Sequence, residues 1–135
     1  MVNILICDDS LFMRKVLRDI LESGGYKVVG ESMDGEDVIN KIRLLKPDLV
    51  TIDLTMPKMT GLSALDIIAK EFPKLIIVVI SALGQPQIIR EALAKGADDF
   101  IIKPITKLKL LYMVDKILRT SKKANGKLTL TVNVT

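Results

Sequence analysis

The sequence feature that most constrains the fold is the run over residues 75–80, six consecutive aliphatic side chains ended by Ser81. A strand that faces water on one side alternates apolar and polar residues, and this run does not alternate. We therefore predict a strand that is covered on both faces, as strands are in a parallel sheet flanked by helices.

The rest of the chain repeats one pattern, in which a short apolar run is followed by a longer segment with apolar residues at helical spacing. Gly24 and Pro47 end two of the helical segments, and Pro86 lies in the first turn of another. We predict strands over residues 2–7, 27–30, 49–52, 75–80 and 100–102, each followed by a helix. Five such units predict an α/β fold with a doubly wound, five-stranded parallel sheet, (βα)5.

The composition limits the chemistry that such a domain can perform. The 135 residues suit one domain, with no His and a single Cys, Cys7, at the end of an apolar run. These counts exclude Ser-His-Asp and Cys-His catalysis, His-ligated metals and a disulfide framework. What remains is carboxylate, lysine and hydroxyl chemistry around a cation that prefers oxygen ligands.

The charge is unevenly distributed along the chain. The net charge is +4, but residues 122–135 hold three lysines and no acidic residue, so the rest of the chain is close to neutral. With five Phe and Tyr residues and no Trp, this is not the basic, aromatic-rich surface of a nucleic-acid binder, and we expect no direct nucleic-acid contact. The apolar runs are too short for a membrane span or a signal peptide, so a cytoplasmic protein is expected.

Polar side chains stand at the ends of four of the predicted strands. Asp8 and Asp9 follow the first strand, Asp53 the third, Ser81 the fourth and Lys103 the fifth. Ligands of doubly wound sheets bind outside the carboxyl ends of the strands, so we expect these residues to share one rim. Neighbouring carboxylates repel one another and favour a bound cation, and oxygen ligands suit Mg²⁺.

The groups on this rim match the chemistry of a phosphoryl group. A cation, an ammonium and a hydroxyl can contact its oxygens, and a carboxylate can accept it as an acyl phosphate. Asp53 is the candidate acceptor, because it stands alone at the end of a central strand, whereas Asp8 and Asp9 suit the metal. Each residue also has an ordinary structural explanation, since such side chains complement helix dipoles and stabilise turns. We favour the phosphoryl site because all of these groups occur together at strand ends.

Four short motifs carry these residues: ICDDS at 6–10, IDLTMP at 52–57, SA at 81–82 and KP at 103–104. In this order and spacing they resemble the receiver domain of bacterial two-component response regulators. The chain is most similar to the single-domain chemotaxis members of that family, the CheY-like receivers. The resemblance covers residues 1 to about 121, which we interpret as one receiver domain, and it implies the flavodoxin-like, CheY-like form of the doubly wound sheet.

The resemblance implies how the phosphoryl group would be bound and read. Asp53 would be the acceptor, Lys103 would pair with the phosphoryl group and Ser81 would hydrogen-bond it. Phosphorylation would draw the Ser81 hydroxyl inward, and the aromatic residue three positions before the lysine, here Phe100, would follow. Many chemotaxis receivers have Tyr there, so a switch at Phe100 would act through packing alone. The peptide bond between Lys103 and Pro104 would be cis.

The resemblance also implies the cofactor and the partners. Mg²⁺ would be held by Asp9 directly, by Asp8 through water, and by Asp53 together with the backbone carbonyl of Thr55. A sensor histidine kinase would donate the phosphoryl group, because the chain has no His of its own. A downstream protein, for example a flagellar motor switch, would read the surface of the fourth helix, fifth strand and fifth helix. The receiver would be a monomer or a weak phosphorylation-linked dimer.

Other functions stay open at this point. The chain could be a receiver fragment of a longer DNA-binding response regulator, or a pseudo-receiver that binds partners without phosphorylation. We expect no enzyme activity beyond self-catalysed phosphoryl acceptance and dephosphorylation. A phosphatase of the haloacid dehalogenase type would need a second Asp two residues after Asp53, where this chain has Thr55.

Residues 122–135 form a C-terminal tail in which positions 128–135 alternate apolar and polar side chains, the pattern of a strand. A single strand is not stable alone, so this segment has to pair with a sheet edge, pair with another copy, or remain disordered. We expect disorder or pairing within a crystal rather than a dedicated dimerisation strand.

Overall fold

The computed structural model describes residues 1–56 and 58–124. Its strands and helices alternate as predicted, in the order β1 (Asn3–Cys7), α1 (Leu11–Ser23), β2 (Lys27–Ser32), α2 (Gly35–Leu45), β3 (Leu49–Ile52), α3 (Gly61–Glu71), β4 (Ile76–Ser81), α4 (Pro86–Ala94), β5 (Asp99–Ile102) and α5 (Lys107–Thr120). A short 3-10 helix, Lys122–Ala124, follows α5. Among the described strands all pairs are parallel and the order is β2-β1-β3-β4-β5, which confirms the predicted doubly wound, flavodoxin-like and CheY-like sheet.

Side-chain caps set where four of the helices begin. The side chains of Ser10, Asp34, Thr60 and Thr106 each accept a hydrogen bond from the backbone amide three residues later. Helix α4 has no such cap and begins at Pro86, whose missing amide hydrogen and fixed φ suit the first helical position. In the described part of the chain, no helix is both long and apolar enough to cross a membrane.

The sheet separates two hydrophobic layers. Ile77 and Val79 of β4 pack in the layer that holds α2, α3 and α4, whereas Ile76, Val78 and Ile80 pack in the layer that holds α1 and α5. Every residue of β4 is buried, so this strand is covered on both faces as predicted. Burial of apolar area at roughly 25 cal/mol per Å² is the main force that holds the layers on the sheet.

Strand β2 is longer than predicted. It runs to Ser32, whereas the apolar pattern indicated a strand over residues 27–30. Residues 31 and 32 are polar and carry no apolar signal, yet they pair with β1. The charge of Glu31 is tolerated at this edge of the sheet because Arg14 and Arg18 of α1 donate to its carboxylate, at 3.0 and 2.8 Å. Strand β5 likewise begins one residue earlier than predicted, at Asp99.

The segment after α5 is anchored at the amino ends of the strands. The Nζ atom of Lys123 donates to the backbone carbonyl of Leu75, at 3.1 Å, and to the carboxylate of Asp98, at 2.9 Å. These bonds tie the start of the tail to the segments that lead into β4 and β5. The predicted alternating strand at residues 128–135 lies outside the described residues.

Candidate functional site

Three of the strands deliver polar residues to the same edge of the sheet. Asp8 and Asp53 come directly after β1 and β3, and Lys103 comes directly after β5. Each of their backbone amides still donates to a neighbouring strand, at 2.9–3.0 Å, so the hydrogen-bond ladder extends one residue into the site. The sheet therefore fixes the backbone positions from which these three side chains extend.

Lys103 joins two buried carboxylates. Its Nζ atom lies 2.8 Å from Oδ2 of Asp8 and 3.0 Å from Oδ2 of Asp53. The side chains of Asp8 and Asp53 are 1% and 3% exposed and that of Lys103 is 18% exposed, so little water competes with these ion pairs. The peptide bond between Lys103 and Pro104 is cis, as the family resemblance implied.

Burial and pairing act in opposite directions on these charges. Burial raises the pKa of Asp8, and the hydrogen bond from Lys103 opposes this only in part. Burial by itself would lower the pKa of the Lys103 ammonium, but its hydrogen bonds to Asp8 and Asp53 outweigh that effect and leave the pKa raised. Lys103 therefore stays charged at neutral pH, and a further cation would favour the ionised form of Asp8.

A third carboxylate completes an acidic group at this rim. Asp9 is exposed, and one of its oxygens lies within 4.8 Å of carboxylate oxygens of Asp8 and Asp53. Carboxylates at this spacing suit a hard divalent cation, and Mg²⁺ takes one or two carboxylates and completes its shell with water and phosphate oxygens. The donor set therefore fits the predicted Mg²⁺, with Asp8, Asp9 and Asp53 as the side chains that could hold it.

Thr55 contacts the second carboxylate oxygen of Asp53. The backbone amide of Thr55 donates to Oδ1 of Asp53 at 3.1 Å, and its hydroxyl lies 3.2 Å from the same atom. With Lys103 on Oδ2, the Asp53 carboxylate is held at both oxygens in one orientation. The structure shows the amide and the hydroxyl of Thr55 at the site, and the role given to its backbone carbonyl stays a prediction.

Neither of the two residues predicted to form a switch takes part through its side chain in the ion pairs of Lys103. Ser81 is fully buried at the end of β4, where its Oγ accepts a hydrogen bond from the amide of Leu83 at 3.1 Å. Phe100 is half-buried on β5 and packs against the layer that holds α2, α3 and α4. In the part of the chain that the structure describes, the Ser81 hydroxyl is bonded within its own loop rather than to Asp53 or Lys103.

Comparison with known families decides what kind of domain carries this site. The family model of the response regulator receiver domain matches residues 4–115. The chain belongs to this family. The predicted membership is therefore confirmed, and the receiver is a domain of two-component signal transduction.

Similar proteins connect the receiver with chemotaxis. It is 43% identical over 115 residues to the chemotaxis protein CheY of Thermotoga maritima, a match that covers 85% of the receiver and 96% of that protein. A CheX–CheY–BeF3–Mg²⁺ complex from Borrelia burgdorferi contains a chain with a TM-score of 0.84 and 38% identity, covering 87% of the receiver and 89% of that chain. A protein-glutamate methylesterase/protein-glutamine glutaminase of Pyrococcus abyssi is 43% identical over 112 residues, which are 81% of the receiver but 30% of that protein.

One residue that supports the site was not predicted from the receiver's sequence. Arg14 of α1 donates from Nη1 to the backbone carbonyl of Asp8 at 2.8 Å, and from Nε to Glu31 at 3.0 Å. Its side chain is only 13% exposed, so the guanidinium ties the residue that carries the buried carboxylate to both α1 and β2. The signal in the sequence was weak: two arginines, Arg14 and Arg18, four residues apart on the first helix.

Proposed function

We propose that the receiver is a phosphorylation-activated switch, in which Asp53 accepts a phosphoryl group from a sensor histidine kinase. The observation that carries this proposal is the 3.0 Å contact between Lys103 Nζ and Asp53 Oδ2, at the rim where Asp8 and Asp9 also lie. A fixed ammonium beside the acceptor carboxylate supplies positive charge where the oxygens of an attached phosphoryl group would come to lie.

The transfer would be a displacement at phosphorus. An oxygen of the Asp53 carboxylate forms the new P–O bond while the P–N bond of the donor phosphohistidine breaks, and the imidazole nitrogen leaves with the bonding electron pair. Lys103 and the amide of Thr55 hold the carboxylate in one orientation before the transfer, which favours an in-line approach. Asp8, Asp9 and Asp53, with the backbone carbonyl of Thr55, would hold Mg²⁺, which when bound supplies positive charge against the phosphoryl oxygens.

A solved relative supports this choice of cofactor. The structure from Borrelia burgdorferi is a complex of CheY with CheX, BeF3 and Mg²⁺. The chain matched there is 38% identical to the receiver, and the acidic group of the receiver offers the oxygen ligands that Mg²⁺ prefers. We therefore propose Mg²⁺ for the receiver as well. We also propose that the receiver, like the CheY of that complex, binds a protein partner.

The signal is proposed to leave the receiver through the surface formed by α4, β5 and α5. Large apolar side chains on these adjacent elements are exposed: Leu93, Ile102, Leu108 and Tyr112. Exposed apolar groups on neighbouring elements are typical of surfaces that bind other proteins. Phosphorylation would shift the equilibrium between two conformations, with Ser81 and Phe100 as the residues that rearrange, and a downstream protein would bind one of them.

The biological setting follows from the relatives. The CheY of Thermotoga maritima supports a role in chemotaxis, with a protein such as a flagellar motor switch as the target. The receiver would act in the cytoplasm, as a monomer or a weak phosphorylation-linked dimer. It would signal by protein contacts and catalyse only its own phosphorylation and dephosphorylation, with no enzyme activity on other substrates.

A second candidate function is that of a receiver within a longer regulator. The match to the Pyrococcus abyssi protein supports this alternative, because the matched region is only 30% of that protein. The phosphorylation chemistry would be unchanged, and the output would come from another domain, such as a DNA-binding one. A pseudo-receiver that binds partners without phosphorylation is a further alternative, which the following experiment separates from both.

The deciding experiment is incubation with acetyl phosphate and Mg²⁺, followed by intact-protein mass spectrometry. We expect one added phosphoryl group in the wild type, none without Mg²⁺ and none in Asp53→Asn. Asp19→Asn, which changes an exposed aspartate of α1, is the matched control and should be labelled like the wild type. Labelling that survives Asp53→Asn would place the acceptor elsewhere, and no labelling under conditions that label other receivers would favour the pseudo-receiver.

A further inference from the structure

A groove of about 510 Å³ opens at the edge of the sheet opposite the acidic site. It lies where the carboxyl-terminal ends of α2 and α3 meet the segments that lead into β3 and β4. Its walls are apolar side chains: Ile42, Pro47, Phe72, Pro73 and Leu75. Ile42, Pro47 and Leu75 are buried and Phe72 is half-buried, so the walls are part of the packed structure. The volume falls within the range of small-molecule sites.

Three cationic side chains surround this apolar groove: Arg43, Lys46 and Lys74. Arg43 is compensated, because its Nε and Nη2 atoms lie 2.6 and 2.7 Å from the two carboxylate oxygens of Glu71. That bidentate pair joins α2 to α3. Neither lysine has an ion-pair partner within residues 1–56 and 58–124. Two ammonium groups that make no ion pair with the described residues, beside an apolar groove, favour an anion that also carries apolar surface.

We infer that this groove binds a small organic monocarboxylate with an aliphatic or aromatic body. The body would lie against Phe72 and Leu75, and the carboxylate would lie near Lys46 and Lys74. A wholly polar anion would leave the apolar walls in contact with water, and a neutral apolar molecule would gain nothing from the lysines. The groove and Asp53 lie at opposite ends of the strands, so this inference does not rest on the proposed phosphorylation.

Titration of the isotope-labelled receiver with octanoate, followed by amide correlation NMR, tests the site. We expect shifts confined to the groove, at the amides of Ile42, Lys46, Phe72 and Leu75. Octanol and octylammonium carry the same chain without a negative charge, and each should bind roughly threefold more weakly or worse. The inference is overturned if octanoate causes no shifts, if the shifts lie on another surface, or if octylammonium binds equally well.

A charge-removal variant separates this site from a general effect of net charge. Lys46 has a left-handed backbone with φ of 49°, which Asn tolerates, so the variant combines Lys46→Asn with Lys74→Gln. The matched control removes two charges at the start of α5, by Lys107→Gln and Lys109→Gln. We expect the first variant to raise the Kd for octanoate about three- to tenfold and the control to leave it unchanged.

Equal weakening in the two double variants would overturn the inferred site, because it would show a response to net charge alone. The Lys46 change tests the fold as well, since this residue follows the last turn of α2. If the amide spectrum of that variant differs from the wild type before octanoate is added, Lys74→Gln is compared with Lys107→Gln. A Kd that is the same for these two single variants would also overturn the inference.

Discussion

The Nζ atom of Lys103 lies 3.0 Å from Oδ2 of Asp53, although 50 residues separate the two along the chain. The contact reaches from the end of β5 to the end of β3, with β4 between them in the sheet. The same ammonium also contacts Asp8 at 2.8 Å, so one cation serves two buried carboxylates. Removal of any one of these three groups therefore changes the environment of the other two.

Replacement of Lys103 by Met is expected to slow phosphorylation of Asp53 by acetyl phosphate roughly tenfold or more, because the positive charge beside the acceptor is lost. A time course of intact-protein mass spectra measures the rate. Lys107→Met, which changes an exposed lysine of α5, is the control and should react like the wild type. Equal rates for the two variants would mean that the Lys103 ammonium takes no part in the transfer.

Asp8→Asn is expected to raise the free energy of unfolding by about 1 kcal/mol in metal-free buffer at neutral pH. Burial raises the pKa of Asp8, so above that pKa the ionised side chain costs folding free energy, and Asn carries no such cost. Lys103 keeps Asp53 as its partner in the variant. Urea denaturation with a chelator measures the change, and Asp9→Asn, at an exposed position, should have a smaller effect. A less stable Asp8→Asn would contradict this prediction.

Mg²⁺ is expected to raise the Tm of the wild type by several degrees, because a ligand that binds only the folded state stabilises it. The effect should be smaller in Asp8→Asn and in Asp9→Asn, since each loses one oxygen ligand of the acidic group. Thermal unfolding over a series of Mg²⁺ concentrations tests this. Asp19→Asn should respond like the wild type, and a wild-type Tm that is insensitive to Mg²⁺ would argue against the metal site.

The pairing of Glu31 with α1 is expected to make stability depend on pH in the acid range. Burial by itself raises the pKa of Glu31, but the hydrogen bonds from Arg18 and Arg14 outweigh it, and the pKa lies below its ordinary value of 4.5. A lowered folded-state pKa contributes stability above pH 4.5 that is lost as the pH falls through the lowered value.

The comparison of wild type with Glu31→Gln by urea denaturation measures this contribution. The wild type should be more stable by about 1 kcal/mol at pH 7, and the difference should shrink as the pH falls below 4.5. Glu91→Gln, which changes an exposed carboxylate of α4, should show no such trend. A difference that stays constant into the acid range would show that Glu31 acts through packing rather than charge.

Arg14→Met is expected to weaken Mg²⁺ binding roughly tenfold, because the guanidinium that holds the backbone carbonyl of Asp8 is lost. Isothermal titration calorimetry measures the affinity. Arg18→Met removes the other arginine from Glu31 but leaves the Arg14 bond to Asp8, and should bind Mg²⁺ like the wild type. Arg14→Lys should recover part of the affinity, and equal affinities for the two Met variants would rule out a positioning role.

The architecture and the rim of the site could be predicted because apolar runs locate strands and parallel topology brings their carboxyl ends together. Strands β1, β3 and β4 are such runs, ended in the sequence by Asp8, Asp53 and Ser81. Ser10 and Thr60 are residue types that favour the N-cap, and in the structure each caps the helix that follows it.

Contacts that depend on how elements pack could not be predicted from the sequence. The bond from Arg14 to the Asp8 carbonyl requires α1 to lie against the end of β1, and the polar end of β2 is stable only because Glu31 meets those arginines. The orientation of the Ser81 hydroxyl toward Leu83 is a property of one loop conformation. The apolar groove lined by Phe72 and Leu75 forms where α2 and α3 end side by side, and no short sequence motif indicates such a place.

The strand order places Asp8 and Asp53 at the ends of interior strands and Lys103 at the end of an edge strand of the described sheet. Asp8 and Asp53 follow β1 and β3, which have neighbours on both sides, whereas Lys103 follows β5, which pairs only with β4 among the described strands. Interior strands are protected against local opening and amide hydrogen exchange more strongly than edge strands. A brief opening of β5 would withdraw Lys103 and Phe100 together while the carboxylates stay in place. The receiver could therefore lose the ammonium from its site without unfolding the residues that would bind the metal.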